Sequence, residues 1–379
     1  MLSRLHIDTD HQANSLCHQT RDAKYDVLRM LAMFMIVCGH FVHHGIRHLD
    51  PACVADVGFG NSAAGQVNFV LCQLMGYLTN IGPALFVLIT GYFLVRPRPF
   101  RYSLTKLLHL WGTMVFYGLC IFTLFVTLGG KTFTFTALLV QLLPFYENAH
   151  WFMTMYAALL LLSPYLAHLA SGLQKREYEV LLAVLLVLNF SQEGLGYGRH
   201  FSGGMSLFFF IFVFLVGGYV RQHQPHAGLS RYGGWGYLAV CLALTAVSAV
   251  SQLLLHHTAY PQIRMLANNS VPLFTAVSLF MWFHSLPPMH GRWARRAVKA
   301  APYVLAVYLI HDNEWVRPWL WNEVVRPQVF IARWWLVPYG LLTCGGIMVV
   351  CMVVDRLRQT LFDGVGSLAV FVNKKLKNK

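Results

Sequence analysis

Charge is scarce in this chain: Asp, Glu, Lys and Arg make up 12% of its 379 residues, and only 15 are acidic. An ordinary soluble domain carries about 25% charged residues, so a wholly water-facing surface is excluded. The alternating ten-residue segments of an outer-membrane barrel are missing, while apolar runs of about 20 residues recur, which sets a β-barrel aside. Among eight cysteines there is no CxxC pair, so neither a zinc site nor a disulfide framework is signalled. Most of the cysteines lie in apolar runs and read as small packing residues. The opening MLSRLHIDTDHQANSLCHQTRDAK lacks the apolar core of a secretory signal peptide, so the first apolar run is expected to be a retained helix. No internal repeat stands out, and no linker is long enough for a second soluble domain.

What is present is apolar: 56% hydrophobic residues, 14% aromatic, and a mean hydropathy of +0.51. The expected fold is an all-α, polytopic transmembrane helical bundle of about ten spans. The spans fall near 27–46, 68–95, 103–128, 151–170, 179–191, 205–221, 235–256, 271–286, 301–321 and 335–355. A polar segment, 1–24, precedes a membrane domain over 25–356, and a basic tail, 357–379, follows it. The net charge of +14 does not point to nucleic acid, because the basic residues sit mainly in short loops between apolar runs. With the N-terminus inside, 21 Lys and Arg fall on the inner side and six on the outer. That asymmetry is the positive-inside pattern, and it puts both termini in the cytoplasm with the lipid bilayer as the surrounding partner.

The first span, YDVLRMLAMFMIVCGHFVHHG, carries Arg29 at one end and His40, His43 and His44 at the other. Eleven residues at about 100° each return to within about 20° of the start, and at 1.5 Å each they climb roughly 16 Å. Arg29 and His40 therefore share one face across much of a membrane. Arg29 alone reads equally as a snorkelling anchor, and His43 and His44 as interfacial residues. His40 and His44 have the i, i+4 spacing of a metal pair, but no acidic or cysteine ligand accompanies them, so no metal is expected. Ionisable groups inside membrane helices tend to be functional.

These residues resemble the first helix of the acyltransferase 3 family of integral-membrane acyltransferases, which carries an Asp three residues before an Arg, then ten residues, then a His. Here these are Asp26, Arg29 and His40. FVLITGYFL (86–94), with Thr90 where Ser is usual, HWFMTMYAALLLLSPYL (150–166), FLVGGYV (214–220) and YVLAVYLIHDNEWVRPWLW (303–321) are similar to later family segments in the same order. The resemblance runs over roughly 24–355. One departure is clear: the family's Arg-x-x-Arg pair early in the third helix is replaced by Lys106 and His109. Lys can pair with a phosphate, but as a point charge and not as a bidentate fork.

The resemblance implies transfer of an acyl group, usually acetyl from cytoplasmic acetyl-CoA, to a sugar hydroxyl of a lipid-linked or exported polysaccharide in a bacterial cytoplasmic membrane. No obligatory metal is implied. Arg29, Lys106 and His109 would meet the phosphates of acyl-CoA, and Arg suits that role. His40 would act as general base, worth about 10²–10⁴ in rate, or as a nucleophile forming a transient acyl-histidine. His311 and Asp312 read as a polar lining for the acceptor or as the interfacial end of the ninth span. Trp151 reads as a sugar platform or as part of an aromatic belt. A transporter or flippase without covalent chemistry is the alternative; an inverted repeat would favour it, and none is seen.

Overall fold

The structure, a computed structural model, describes residues 22–46, 60, 62–145, 150–194, 206–224, 230–250 and 270–377. The described residues are helical, with no strand among them. The long helices are α1 (Lys24–His40), α2 (Ala63–Thr79), α3 (Gly82–Leu94), α4 (Phe100–Thr127), α6 (Trp151–Gly172) and α7 (Lys175–Gly194). They continue with α8 (Leu207–His223), α9 (Gly233–Ala249), α10 (Ser270–Ser285) and α13 (Leu336–Lys377). Shorter pieces are α5 (Phe135–Leu142), α11 (Arg292–Ala300) and α12 (Val304–His311).

Among the described residues, five stretches can cross a membrane by length and composition: Lys24–Ile46, Ala63–Leu94, Phe100–Thr127, Trp151–Gly172 and Leu336–Asp363. Three shorter helices, Leu207–His223, Gly233–Ala249 and Val271–Ser285, are also apolar. This is a multi-pass membrane protein, but two of the expected spans are built differently. The stretch 68–95 breaks in two at Asn80 and Ile81, where Pro83 opens the next helix; proline fits the first turn, whose N–H groups have no helical partner. The stretch 301–321 breaks into a turn, the two-turn α12, and then short helical pieces. The basic tail continues helical to Lys377 as part of α13. Glu147 and Asn148, also expected at the outer start of the fourth span, lie outside the described residues.

Helix α1 is the centre of the bundle. It packs against α2, α3, α10, α11, α12 and α13, and 67% of its apolar window is buried, against 22% for α13. Leu342, Val349, Val350 and Leu357 on α13 are exposed, as expected of a lipid-facing side. The tightest packing is between α3 and α8. A side chain at Gly91 would collide with the Phe214 backbone, and one at Gly217 with the Leu88 carbonyl. Small residues allow this approach where water supplies no hydrophobic drive between helices.

Contacts sort the charges by end. Lys24 Nζ donates to the His284 and Leu286 carbonyls, both at 3.0 Å, satisfying oxygens at the end of α10 that lack helical partners. Tyr25 bonds His284 Nδ1 at 2.9 Å, and Arg221 donates to Tyr92 Oη at 2.9 Å. The basic helix α11, with Ala294 and Ala297 buried and Trp293 exposed, packs on α1 as well. Lys24, Arg29, Arg221 and α11 thus share one end of the bundle, and His40 lies toward the other.

Candidate active site

At the Arg29 end, Nη1 of Arg29 donates to Asp26 Oδ1 at 2.7 Å. The guanidinium lies 5.4 Å from the centre of the Phe93 ring. Arg221 stands over Tyr92 at 4.9 Å, and Tyr92 stacks on Tyr25 at 4.9 Å. Two cations therefore flank an aromatic cluster at the basic end. A cation over a ring face gains about 0.5–1 kcal/mol at exposed sites.

At the other end, α1 passes into a π-helical turn, Phe41–Ile46, directly after His40; π-turns often accompany functional sites. Helix α12 runs alongside α1 and stops after two turns. Asn313 Oδ1 accepts the Trp315 N–H at 3.0 Å, an Asx turn that competes with helix continuation. That stop leaves His311 and Asp312 against α1. His40 Nδ1 lies 2.9 Å from His311 Nε2 and 3.4 Å from Asp312 Oδ1. Arg317 holds Asp312 from behind, Nε to Oδ1 at 2.8 Å and a terminal nitrogen to the Asp312 carbonyl at 2.9 Å. His44 completes the group, its Nε2 3.9 Å from Asp312 Oδ1.

The hydrogen bonds assign the tautomers. His311 Nδ1 lies 2.5 Å from the Val307 carbonyl, which can only accept, so that nitrogen carries a proton. In neutral His311, Nε2 is then the acceptor, and His40 Nδ1 must donate to it. The lone pair of neutral His40 is thereby at Nε2, which has no hydrogen bond among the described residues. His40 retains 18% side-chain exposure, against 3% for Asp312. The neutral ring thus keeps a proton-accepting nitrogen, and the buried Asp312 carboxylate beside Nδ1 can stabilise the imidazolium once formed.

A family model described as an acyltransferase domain matches residues 22–356. The chain belongs to the acyltransferase 3 family. No curated protein and no solved structure matches it.

Within this acyltransferase, the structure unites His40, His311 and Asp312, which the sequence presents 271 residues apart. It adds His44, read above as an interfacial residue, and Arg317. The spacing of His40 and His44 on one face was the available signal for His44. His40, His44 and Asp312 also place one ligand atom each within 4.8 Å of one another, so the acidic partner that local spacing lacked comes from a distant helix. Arg317 occupies the same Asp312 oxygen and supplies the positive charge a cation would bring.

Lys106 and His109 lie on the exposed side of α4, beside exposed Leu104, Leu108 and Trp111. Lys106 Nζ rests 4.7 Å over the Tyr102 ring, with Arg98 at 4.5 Å. Helix α4 packs chiefly on α5 and α6, so these two are not gathered around Arg29. Trp151 is half-buried, 6.2 Å from the Phe210 ring and 5.9 Å from Phe152, part of the packing between α6 and α8. Along the stripe from Arg29 to His40, Met33 and Ile36 are buried. The expected path between the ends is filled by side chains, which must move aside if a slender substrate arm is to pass.

Proposed function

We propose that this acyltransferase moves an acyl group, acetyl in the simplest case, from cytoplasmic acyl-CoA to a sugar hydroxyl of a cell-surface or exported polysaccharide in a bacterial cytoplasmic membrane. The observation that carries the reading is the His40–His311–Asp312–Arg317 relay at the end of α1 opposite the basic cluster. His40 Nε2 removes the proton of the acceptor hydroxyl as its oxygen attacks the thioester carbonyl. The tetrahedral intermediate collapses to the ester, and the departing thiolate takes the proton back from His40. Asp312 and His311 stabilise the imidazolium between these steps, as an orienting carboxylate does in a hydrolase triad.

The donor side of the reading rests on charge. Coenzyme A is polyanionic, and Arg29 and Arg221 at the basic end suit its phosphates. The asymmetry of 21 basic residues against six supports a cytoplasmic basic end. The Nε2 lone pair of this tautomer serves a base or a nucleophile alike; we take the base as the working route. The test is purified full-length protein in lipid nanodiscs with acetyl-labelled acetyl-CoA and a polysaccharide acceptor. Label appearing as an alkali-labile ester on the glycan is expected. Glycan bound or carried across without label transfer would replace the reading with a transporter.

A further inference from the structure

Beside the relay is a small, partly open cleft. Met114 and Gly118 of α4, Val140 and Gln141 of α5, His150 and Asn313 are among its walls. Gly118 has a local reason: a side chain there would stand 2.8 Å from Gln141 Oε1 and push that amide into the cleft. His150, the residue before α6, is 8% exposed, and its Nδ1 has no hydrogen-bond partner among the described residues. Buried polar atoms are nearly always paired, so one left over at the wall of a cleft points to a ligand or a water that the site accommodates. Behind His150, Tyr308 carries another unpaired polar atom, though it does not line the cleft. Its buried hydroxyl lies near Asp312 but makes no well-formed hydrogen bond. The Tyr308 ring sits 5.6 Å from His150 and 6.4 Å from His40, bridging the cleft to the base.

The lining chemistry narrows the ligand. Amides, an imidazole and the acidic Glu314 face the cleft, and among the described residues no Lys or Arg does. A phosphate or carboxylate would find no cationic partner, whereas a neutral molecule with several hydroxyls would find both donors and acceptors. We propose that this cleft is the acceptor subsite, holding a neutral glycan unit against His150 so that one hydroxyl reaches past the Tyr308 ring toward His40. The proposal rests on the acyl-transfer reading for its reaction, but not for its binding.

The test separates the two. Val140→Cys is introduced on the cleft wall of the full-length protein in nanodiscs, with the parent chain labelled in parallel to subtract native thiols, among them exposed Cys120. Maleimide labelling is followed with and without chitotriose and maltotriose as neutral glycan probes, and acetyl transfer to the same probes is measured. The expected result is severalfold slower labelling with a probe, lost when His150→Ala is added, and a roughly tenfold higher acceptor KM for His150→Ala with a smaller change in kcat. His150→Gln, which keeps a hydrogen-bonding group, should recover part of that loss. Protection without transfer would uphold the cleft and sink the acyl-transfer reading. Transfer with no protection, or with an unchanged KM in His150→Ala, would overturn the cleft and leave that reading standing. Neither protection nor transfer would overturn both.

Discussion

At the Arg29 end of α1 the charged partner is Asp26, one helical turn away on the same helix; at the His40 end the partners come from α12 and the turn beyond it. The first end relies on local spacing and on aromatic faces from α3, with Arg29 and its counterpart Arg317 equally exposed at 29% and 30%. The second end depends on a helix that stops at one residue, on an Asx turn, and on an Arg that reaches back five positions to its Asp. One end is suited to catching a mobile polyanion, the other to holding a proton acceptor at a fixed angle. The difference teaches that similar polarity at two helix ends can serve capture at one and preorganisation at the other. Preorganised dipoles aimed at developing charge are the ones that accelerate a reaction.

The sharpest way to break this comparison is at the base. His40→Ala should lower acyl transfer by about 10²–10⁴, the usual worth of general-base help, while the purified variant still elutes as a folded monodisperse particle. His311→Ala should cost less, about tenfold or more, because His40 then loses the acceptor that fixes its tautomer but keeps its lone pairs. Transfer by His40→Ala at the parental rate would remove His40 from the mechanism.

Next in size is the contrast in stability. Asp312→Ala leaves Arg317 and any protonated histidine without a buried counter-charge, and removing one partner of a buried pair costs about 3–5 kcal/mol. Asp26→Ala strands Arg29, which is as exposed as Arg317 (29% against 30%), but Asp312 also faces two histidines, so the loss at Asp26 is expected to be the smaller, about 1–3 kcal/mol. Thermal unfolding in detergent should therefore rank Asp312→Ala below Asp26→Ala. Equal losses would mean that the two ends are not built differently.

The donor end is tested by binding. Arg29→Ala should raise the KM for acyl-CoA about tenfold, in line with about 1.5–3 kcal/mol for a hydrogen bond to a charged group. Lys106→Ala and His109→Ala should each change it only about two- to threefold, because exposed point charges on α4 are screened. A larger effect from Lys106 than from Arg29 would move the donor site to the outer side of α4.

Much of this was legible in the sequence, for identifiable reasons. Low charge and long apolar runs dictate a helical membrane bundle, because spanning segments must satisfy every backbone polar group internally. The Asp26, Arg29 and His40 spacing lies within one helix, where 3.6-residue periodicity is enough to read it. The break at Asn80 and the end of α12 carry local signals, Asn80, Gly82 and Pro83 in one and His311 to Glu314 in the other, but the apolar runs around them are long enough to read as single spans. His44 was passed over for a different reason: its partner Asp312 belongs to another helix, and pairing between helices leaves no mark in local spacing. The filled stripe at Met33 and Ile36 also depends on packing from α3, where Ile36 lies against the start of the helix at Gly82.

The smallest expected effect concerns metal. His40, His44 and Asp312 are close enough together to chelate an ion, and that would turn a proton relay into a Lewis-acid site. Arg317 argues against it. Its Nε already holds Asp312 Oδ1 at 2.8 Å, and a divalent ion at that oxygen would stand against a fixed guanidinium, a like-charge contact with little solvent to relieve it. His40 Nδ1 also carries its proton toward His311, so it is not a free ligand nitrogen. Exhaustive chelation should leave the rate of acyl transfer unchanged within error, and added Zn²⁺ should inhibit by capping His40 Nε2. Activity lost on chelation and restored by a divalent ion would show that the His40 end is a metal centre, and the contrast between the two ends of α1 would then be one of metal against cation.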